Sequence, residues 1–411
     1  MSLIVQKYGG TSVGSPDRID RVADRIAETS GDGHDVVVVV SAMGKTTDDL
    51  IDLAETIHPD PPKREMDMLL TAGERISMAL CAMAVEKRGV GAVSFTGSQA
   101  GILTDASHGS ARIVEITGTR VKEALAEGRV VIIGGMQGVD PLKKEVTTLG
   151  RGGSDATAVA VAAALGADAC EIYTDVDGVY TADPRIVPDA RKIDEISFAE
   201  MLEMAAAGAG VLMSRAVEFG RRFNIPIHVR SSFHDRTGTW VKENTMEQAV
   251  ISGVAHDRSE AKVTVRSVPD HPGVAAAVFE PLAEAGINLD MIVQNIARDG
   301  STDISFTAPI SSIDKAETIA KATAEALGAE GVSVERGVGK VSLVGAGMKS
   351  HPGVAAKVFS TLSDEGINIE MISTSTIRIS CVVDATRLDD AVKALHAAFE
   401  LGEAAEEVVT A

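Results

Sequence analysis

The sequence predicts an α/β domain, with a mainly parallel β-sheet sandwiched by helices, followed by two smaller α+β modules. Strand-like and helix-like segments alternate in the chain up to residue 245. The strand-like runs consist largely of Val and Ile, and only 3% of all residues are aromatic. Continuous β-branched runs of this kind are typical of parallel strands buried on both faces. Beyond residue 245, a 22-residue segment occurs twice.

The first part of the chain reads as strand, glycine-rich loop and helix in repeated succession, which predicts a sheet covered on both faces. Its strand-like runs are residues 3–5, 36–42, 92–95, 130–135, 171–175 and 225–231. Its clearest helical stretches are residues 17–28, 65–89 and 154–167. Ligands of such sheets bind at the carboxyl ends of the strands. We therefore expect the chemistry in the loops that directly follow the strands.

The second part of the chain contains an internal repeat. HPGVAAAVFEPLAEAGINLDMI (271–292) matches HPGVAAKVFSTLSDEGINIEMI (351–372) at 14 of 22 positions. Each copy follows a strand-like run and continues into another one, so the unit is strand, His-Pro-Gly turn, helix and strand. Repetition of a whole supersecondary unit predicts two copies of one small module.

The bulk composition narrows the class of protein. The formal charge of −20 disfavours a nucleic-acid or acidic-membrane partner. Cys81, Cys170 and Cys381 have no metal or redox spacing. The first residues show no basic stretch before a long apolar core, and no run of 18 uncharged apolar residues exists. We expect a cytoplasmic protein that binds neither membrane nor nucleic acid.

Two generic phosphate-binding motifs are missing. A P-loop requires a glycine five positions before the Gly44-Lys45 pair, and that position is Val39. No G-x-G-x-x-G sequence follows a strand in a βαβ context. If the protein binds phosphate, its loop must be of another kind.

Five loops offer polar groups directly after strand-like runs, and parallel strands would bring them to one sheet edge. KYGGTS, the first of them, combines an ammonium group with two glycines that leave the backbone open to an anion. One such loop would be ordinary turn chemistry, but five on one edge predict a site. The loops are residues 7–12, 41–47, 134–138, 150–155 and 174–185.

Several of these residues also have purely structural interpretations. Asp155 could cap the helix that follows Gly153. Arg151 lies between glycines with few neighbours to pack on, which favours a clamp for a carboxylate or phosphate. Glu74 could be a solvated helix residue, although Ala72-Gly73 beside it indicates close packing. Lys45 reads as a solvated loop lysine.

The remaining candidates have turn interpretations. The stretch from Asp175 to Asp183 could form two consecutive turns, because DG and DP are common turn dipeptides. His271 and His351 each precede a proline in a loop. They read as turn residues and not as metal ligands.

Together, these motifs resemble the aspartate kinases of the amino-acid kinase fold. The resemblance is carried by KYGGTS, SAMGKTTD, LLTAGERIS, TTLGRGGSD and TDVDGVYTADPR, in this order. The paired repeats resemble the two ferredoxin-like regulatory ACT domains of that family. The resemblance covers essentially the whole chain. It implies a catalytic domain at 1–245 and ACT domains at 261–338 and 339–411, the second completed by 247–260.

The resemblance implies transfer of the γ-phosphoryl group of MgATP to the β-carboxylate of L-aspartate, giving 4-phospho-aspartate and ADP. The acceptor carboxylate is already ionised at neutral pH, because its ordinary pKa is about 3.9. No general base is then required, and catalysis reduces to positioning and charge neutralisation. Mg²⁺ would enter with ATP, without a confident direct protein ligand.

The resemblance also implies individual roles. Lys7 and Asp155 would be catalytic, with Lys7 on the transferring phosphoryl group and Asp155 orienting Lys7 or the substrate amine. Arg151 would hold the α-carboxylate of aspartate and Glu74 its α-ammonium. The implied substrate-binding residues are Ser41, Thr47, Glu74, Arg151, Gly152, Gly153 and Ser154. The implied ATP-binding residues are Lys7, Tyr8, Gly9, Gly10, Ser12, Ser41, Tyr173, Thr174, Asp175, Val179, Tyr180, Thr181, Ala182, Asp183, Pro184 and Arg185.

One position departs from the family pattern. Many relatives have a lysine, reaching toward the nucleotide phosphates, in the segment equivalent to 205–214. Here the candidate position is Gly210. Arg215 or backbone groups would have to replace that contact.

The ACT resemblance implies amino-acid effectors, with lysine and threonine as the expected end products, and an oligomer formed through the ACT domains. A separate regulatory subunit could start near Met246. A duplicated dimerisation module without a ligand is the alternative. The implied effector-binding residues are His271, Gly273, Val274, Ala275, Asn288, Met291, Ile292, Gln294, Asn295, His351, Gly353, Val354, Ala355, Asn368, Met371 and Ile372.

Two other functions remain open on the sequence. The first is a kinase for another small acid, such as glutamate or acetylglutamate. The Arg151 and Glu74 pair disfavours acetylglutamate, whose amine is blocked. The second is a non-catalytic amino-acid sensor, which the intact Lys7, Arg151 and Asp155 disfavour.

Overall fold

The computed structural model describes residues 2–243, 250–296, 300–349 and 351–402. The chain forms two compact units. The first comprises Met1–Val179, Lys192–Ala205 and Gly210–Met246, and the second comprises Tyr180–Arg191, Ala206–Ala209 and Glu247–Ala411. The predicted boundary at residue 245, and Met246 with it, lie outside the described residues.

The first unit contains twelve strands and seven helices within the described residues. The strands are β1 (Leu3–Tyr8), β2 (Asp35–Val40), β3 (Ala92–Phe95), β4 (Ile102–Thr104), β5 (Ile113–Ile116), β6 (Val130–Gly134), β7 (Gln137–Val139), β8 (Val146–Thr148), β9 (Ala169–Thr174), β10 (Glu195–Ile196), β11 (Ile227–Ser231) and β12 (Thr239–Val241). The helices are α1 (Pro16–Gly31), α2 (Thr46–Ile57), α3 (Lys63–Glu86), α4 (Thr119–Ala126), α5 (Gly153–Leu165), α6 (Phe198–Ala206) and α7 (Ser214–Phe223).

The predicted mainly parallel sheet is confirmed. Its strand order is β10-β12-β11-β9-β1-β2-β6-β3, and β11 with β12 forms the antiparallel pair. The central strands are buried on both faces: the five valines of β2 are at most 1% exposed. Both faces carry helices, with α1 and α3 in contact with each other and α5 packed on β1, β2 and β9. The carboxyl ends of β1, β2, β6 and β9 therefore lie along one edge.

A second, four-stranded sheet in this unit, of order β5-β4-β7-β8, was not expected from the sequence. Its strands have three or four residues each, too few for an alternating pattern to stand out. Strand β8 ends at Thr148, directly before the loop that carries Arg151. The small sheet thus fixes one wall of the candidate site.

Helix α3 is long and apolar enough, by length and composition, to cross a membrane. Core helices of globular proteins pass the same test. Here α3 packs against α1, β3 and β6, and its buried residues include Asp67 and Glu74. Buried carboxylates on the packed side indicate a core helix whose acidic side chains face polar groups at the sheet edge.

A buried polar cluster lies under the ends of β1, β9 and β11. The rings of Tyr8 and Tyr173 stack with centroids 4.7 Å apart, and Glu171 accepts hydrogen bonds from Gln6, Arg230 and the Tyr173 hydroxyl. Burial by itself raises the pKa of Glu171, but the His228 ring, the Arg230 guanidinium and the Gln6 amide lower it to about 2.

Replacing Glu171 by glutamine is expected to lower the free energy of unfolding at pH 7 by about 2–3 kcal/mol. The folded pKa lies below the ordinary value, so the contribution is present above about pH 4.5 and is lost as the pH falls toward 2. Urea unfolding at pH 7 and pH 4 measures it, with the exposed Glu28→Gln on α1 as the matched control. Equal stabilities of the two variants at pH 7 would contradict the assignment.

In the part of the second unit that the structure describes, there are two four-stranded antiparallel sheets, each covered by two helices. Its strands are β13 (Gly253–Asp257), β14 (Glu260–Pro269), β15 (Ile292–Ile296), β16 (Ser301–Pro309), β17 (Gly331–Glu335), β18 (Val338–Val344), β19 (Met371–Thr374) and β20 (Arg378–Asp384). Its helices are α8 (Val274–Glu284), α9 (Ile313–Leu327), α10 (Val354–Asp364) and α11 (Leu388–Ala398). The duplication predicted from the repeat is thereby confirmed, as is the ferredoxin-like architecture implied by the resemblance.

The two sheets have equivalent strand orders, β15-β16-β14-β17 and β19-β20-β18-β13. The edge position that β17 occupies in the first sheet is taken by β13 in the second. Residues 253–257 precede both repeats in the sequence, yet β13 pairs with β18 of the second one. The segment 247–260, assigned to the second module from the resemblance, contributes this strand.

Two short segments that the sequence assigned to the catalytic domain belong to the second unit, Tyr180–Arg191 and Ala206–Ala209. Ala182, Val187 and Ala190 lie in the apolar core formed around β18, β20 and α11. The segment Tyr180–Arg191 belongs to the second unit because its apolar side chains are buried there. The sequence motif alone does not reveal this burial.

Candidate active site

A cavity of about 560 Å³ opens at the carboxyl edge of the parallel sheet in the first unit. It brings together residues from four of the five predicted loops and from α3. The lining residues are Lys7, Ser41, Thr47, Asp48, Ile51, Lys63, Met66, Asp67, Leu70, Glu74, Gly109, Ser110, Met136, Thr148, Gly150, Arg151, Gly152, Gly153, Ser154, Asp155, Gly210 and Met213. All seven predicted substrate-binding residues and both predicted catalytic residues are among them.

Lys7 and Asp155 form an ion pair at the base of the cavity, with Nζ and Oδ1 2.6 Å apart. Lys7 is the penultimate residue of β1, and Asp155 lies in the first turn of α5. The helix cap is Gly152, not Asp155, so the capping interpretation of Asp155 is wrong. The pair fixes the lysine ammonium beside the amino-terminal end of a 13-residue helix, where anions are favoured.

Arg151 lies directly before that helix and is exposed in the cavity wall. Within the described residues, no hydrogen bond or ion pair engages its guanidinium. Gly152 next to it has φ +68°, and a Cβ there would lie 2.1 Å from Cγ of Met213. The glycine is therefore required by both the left-handed backbone and the close approach. The Arg151 guanidinium is therefore available to bind an anionic group with two of its N–H donors.

Glu74 lies on α3 and is only 1% exposed. Gly73 allows the close packing inferred from the sequence, since a Cβ there would lie 2.7 Å from Cβ of Ala42. One carboxylate oxygen, Oε1, accepts a hydrogen bond from the Ala42 amide at 3.2 Å. The other, Oε2, has no hydrogen-bond partner within the described part of the chain. Burial raises the pKa of Glu74 to about 7.

This geometry gives the cavity two unsatisfied charges of opposite sign. A buried acceptor without a donor costs free energy, which a bound cation would recover. Glu74 Oε2 is therefore suited to an ammonium group, and the Arg151 fork to a carboxylate. A ligand that carries both groups matches the cavity.

Glycine is needed at positions 9 and 10 for different structural reasons. A Cβ at Gly9 would lie 3.4 Å from Lys7 Nζ, so this glycine leaves space in front of the ammonium. A Cβ at Gly10 would lie 2.9 Å from the Ala42 carbonyl oxygen, and the Gly10 carbonyl accepts a hydrogen bond from Gly44. Gly10 is needed to pack the first loop on the second, which the sequence does not reveal.

Four of the side chains predicted to bind ATP in the first unit are buried away from the cavity, namely those of Tyr8, Ser12, Tyr173 and Val179. Tyr8 and Tyr173 stack on each other, Ser12 is hydrogen-bonded to Ser232, and Val179 is 1% exposed. Their side chains are therefore packed within the unit, so a nucleotide contact at these positions would have to use the backbone. Strand alternation turns the rings of Tyr8 and Tyr173 to the face opposite Lys7. Thr174 and Asp175 remain partly or fully exposed at the end of β9.

The rest of the predicted ATP segment lies in the second unit. Thr181 is buried there: its hydroxyl bonds the Leu401 carbonyl and the His396 ring, each at 3.0 Å. Ala182 is 3% exposed. The Thr181 and Ala182 side chains are therefore committed to packing. The other predicted members are at least partly exposed, namely Tyr180, Asp183, Pro184 and Arg185.

Gly210 lines the cavity, and a Cβ at this position would meet nothing within 4 Å. The predicted substitute Arg215 does not line the cavity. Its guanidinium donates to the carbonyl oxygens of Leu149 at 3.3 Å and Ala111 at 3.0 Å. Arg215 therefore clamps the neighbouring loops in this structure, and a phosphate contact from its guanidinium stays a prediction.

Several lining residues were missed by the sequence analysis. Asp67 lies in an otherwise apolar part of α3, seven residues before Glu74, and this spacing places both on one helix face. An acidic residue on the same helix face as Glu74 was the sequence feature from which Asp67 could have been predicted. Ser110 and Thr148 come from the small sheet and its loops, which carried no recognisable pattern.

The predicted effector residues of the first module are partly brought together. A second cavity, of about 380 Å³, is lined by Asp270, His271, Pro272, Gly273, Val274, Ala275 and Gln294. Asn288, Ile292 and Asn295 are exposed, whereas Met291 is 1% exposed. Met291 packs with Val338 and Met371, so its side chain belongs to the core of the module and its effector contact stays a prediction.

The second module places its equivalent residues similarly. His351, Gly353, Asn368 and Ile372 are exposed. Val354 and Ala355 are partly buried against the apolar core of the module. Met371 is 5% exposed and packs against Met291, so its side chain also lies in the core and its effector contact stays a prediction.

No direct metal site is evident. Among the described residues, no three His, Cys, Asp or Glu side chains are arranged to hold a metal ion. The three cysteines are buried and free.

Comparisons with known proteins agree with this architecture. Residues 2–231 match the amino acid kinase family, and residues 263–336 and 341–399 each match the ACT domain. The aspartokinase of Mycolicibacterium smegmatis is 60% identical over 100% of this chain and 99% of its own length. The aspartokinase of Corynebacterium efficiens is 57% identical with the same coverage.

Two solved structures of E. coli aspartokinase III are each 30% identical and cover 96% of this chain and 99% of their own. The complex with aspartate and ADP, in the R-state, has a TM-score of 0.83. The complex with lysine and aspartate, in the T-state, has a TM-score of 0.75. Full-length identity of this order, the kinase-type sheet and the two ACT domains lead to one conclusion: the chain belongs to the aspartokinase family.

Proposed function

We propose that this protein phosphorylates the β-carboxylate of L-aspartate with MgATP, giving 4-phospho-L-aspartate and ADP. The observation that carries the proposal is the pair of unsatisfied charges in the cavity. Glu74 Oε2 is buried without a partner, and the Arg151 guanidinium is unengaged within the described residues. An α-amino acid supplies the complementary ammonium and carboxylate. The related E. coli enzyme was solved with aspartate and ADP.

In this proposal, the side-chain carboxylate of aspartate points toward Lys7. Its α-ammonium bonds Glu74, and its α-carboxylate bonds Arg151 and the amides that begin α5. Ser41 and Thr47 line the same cavity and donate to the reacting carboxylate. The carboxylate oxygen forms a bond to the γ-phosphorus as the bond to the ADP oxygen breaks, and no proton moves.

Lys7 neutralises the charge that spreads over the equatorial oxygens of the phosphoryl group. Asp155 holds the ammonium by the 2.6 Å ion pair, so Lys7 needs no reorganisation during the reaction. Gly9 keeps the approach to Nζ open. Thr174 and Asp175, at the end of β9, remain candidates for nucleotide contacts.

Mg²⁺ is proposed to enter with ATP. Magnesium is commonly held by one or two carboxylates together with substrate phosphates. The donor chemistry of the cavity fits this, because the carboxylates of Asp155 and Asp48 both line it. When bound, the ion would neutralise charge on the phosphates.

The ACT domains are proposed to bind the end-product amino acids lysine or threonine. The cavity at His271–Ala275 and Gln294 offers freed backbone at Gly273, with φ +97°, and open space beside it. The related E. coli enzyme was solved with lysine in its T-state. An oligomer formed through these domains and a cytoplasmic location belong to the same proposal.

Hydroxylamine trapping of the acyl phosphate tests the reaction. The purified protein is incubated with MgATP and aspartate, glutamate or N-acetylglutamate, and the hydroxamates are measured with and without lysine and threonine. We expect aspartyl hydroxamate as the main product and a lower rate with at least one effector.

Each other result has a defined meaning. Product from glutamate or N-acetylglutamate alone would replace aspartate with that acid. No hydroxamate from any acid, with intact effector binding, would favour a non-catalytic amino-acid sensor. An unchanged rate with both effectors would contradict the regulatory part only.

A further inference from the structure

Asp67 is a carboxylate in the cavity wall that the proposed reaction does not use. Its side chain is fully buried, although it lies on a cavity that binds charged groups. A buried carboxylate is retained at such a place only when its charge is compensated. The groups that compensate it indicate what it does.

Asp67 accepts hydrogen bonds from three groups on two other chain segments. The Gly109 amide donates to Oδ1 at 3.1 Å and Oδ2 at 3.2 Å. The Thr148 hydroxyl donates to Oδ1, and the His108 ring lies 2.7 Å from Oδ2. His108 in turn contacts Glu145 at 3.3 Å. Both oxygens of Asp67 are thus occupied, so Asp67 acts through its partners and does not contact a substrate itself.

The segments joined by Asp67 carry both charges of the amino-acid site. Asp67 lies two turns before Glu74 on α3, about 10 Å along the helix axis. Thr148 ends β8, three residues before Arg151. A single buried carboxylate therefore ties the helix of the ammonium-binding residue to the strand that leads to the carboxylate-binding residue.

Neighbouring contacts make this connection stiff. Thr148 accepts a hydrogen bond from the Ala111 amide at 2.9 Å. The loop around Gly109 packs on Gly150, where a Cβ would lie 2.9 Å from the Gly109 carbonyl oxygen. Arg215 clamps the carbonyls of Ala111 and Leu149 from another side. Loss of the Asp67 acceptors would release the Arg151 loop at its base.

On the basis of the aspartate kinase function proposed above, we propose that Asp67 is a positioning residue that sets the distance between Glu74 and Arg151. It thereby holds the groups that bind the α-ammonium and the α-carboxylate of the substrate at the separation that an α-amino acid requires. Displacement of a binding group by about 1 Å takes its hydrogen bonds out of their normal distance range and weakens binding. The nucleotide is held by other loops, so its affinity should be insensitive to Asp67.

The test compares Asp67→Asn with Glu65→Gln, an exposed carboxylate on the same helix. The asparagine offers one acceptor where the aspartate offers two, so it cannot satisfy Gly109, Thr148 and His108 together. We expect the KM for aspartate to rise at least about 10-fold in Asp67→Asn, with kcat and the KM for ATP changing less than about 3-fold. Glu65→Gln should match the wild type.

A second variant, Thr148→Val, tests the proposal independently in case Asp67→Asn does not fold. Thr148→Val removes the link to β8 and leaves Asp67 in place, so it should raise the KM for aspartate in the same direction by a smaller factor. Equal rises of the KM for ATP and aspartate in these variants would indicate a general structural role and overturn the proposal. An unchanged KM for aspartate in both would also overturn it.

The wild-type result separates this proposal from the proposed function. If the wild type gives no aspartyl hydroxamate, the aspartate kinase function fails whatever the variants do. If the wild type is active and both variants keep its KM for aspartate, only the role of Asp67 fails.

Discussion

Replacing Lys7 by alanine is expected to lower kcat for aspartyl phosphate formation by about 10³-fold. Its ammonium lies at the end of β1, paired with Asp155 at 2.6 Å and with open space at Gly9 in front of it. No general base is needed for an ionised acceptor, so charge neutralisation is the main contribution left to the protein. Hydroxamate formation under saturating substrates measures the loss.

The loss of activity must be separated from a loss of stability. Lys7→Ala leaves the largely buried carboxylate of Asp155 without its counter-ion, which destabilises the fold. In the double variant Lys7→Met and Asp155→Asn both charges are removed, so thermal stability should recover while activity stays low. Lys45→Ala, at an exposed lysine in the next loop, is the matched control and should keep full activity. Full activity of Lys7→Ala would refute the role given to Lys7.

Replacing Glu74 by glutamine is expected to raise the free energy of unfolding of the ligand-free protein at pH 8 and to lower kcat/KM for aspartate. Burial raises the folded pKa of Glu74 from an ordinary value of 4.5 to about 7. A carboxyl group with a raised folded pKa favours folding below its unfolded pKa, and this contribution is lost as the pH rises from 4.5 to 7. At pH 8 the neutral glutamine carries no buried charge, so the free energy of unfolding of the variant should exceed that of the wild type by about 2–3 kcal/mol.

The same substitution removes the charge that the substrate ammonium requires. We expect kcat/KM for aspartate to fall by about 10²-fold at pH 8, mainly through the KM for aspartate. For the wild type, aspartate binding should tighten as the pH rises through about 7, when Glu74 ionises. Glu74→Gln should lack this pH dependence.

Urea unfolding without ligands at pH 8 and pH 4.5, together with steady-state kinetics across the same range, measures both effects. Glu86→Gln, an exposed carboxylate on the same helix, is the control and should alter neither. A Glu74→Gln variant that is less stable than the wild type at pH 8 would show that the buried carboxylate has a partner that compensates its charge. Unchanged kinetics would exclude Glu74 from the substrate site.

Much of the site could be predicted because its residues follow strands in sequence. Lys7 lies at the end of β1 and Ser41 directly after β2, and parallel strands end at one edge. The loop with Arg151 follows β8 of the small sheet, and its role was predicted from its glycines and from the resemblance. Glu74 was predictable from the resemblance and from the glycine beside it. The small sheet was not predictable, since strands of three or four residues carry little periodic signal.

Several side chains of the predicted nucleotide motifs are packed in the interior, for a physical reason. Tyr8 and Tyr173 lie in motifs at the sheet edge, but alternation along a strand turns every second side chain to the opposite face. There they stack and bond Gln6 and Glu171. Thr181 lies in the same motif as Thr174, yet its hydroxyl is used in the second unit.

The sequence alone determined the α/β class, the duplicated module and the charges of the amino-acid site, because periodicity, repetition and residue type are local properties. Tertiary structure decided which of those charges are unsatisfied and which side chains are buried. It also placed β13 in the sheet of a distant repeat and brought Asp67 under Gly109 and Thr148. These features depend on contacts between residues far apart in the chain, and no local pattern encodes them.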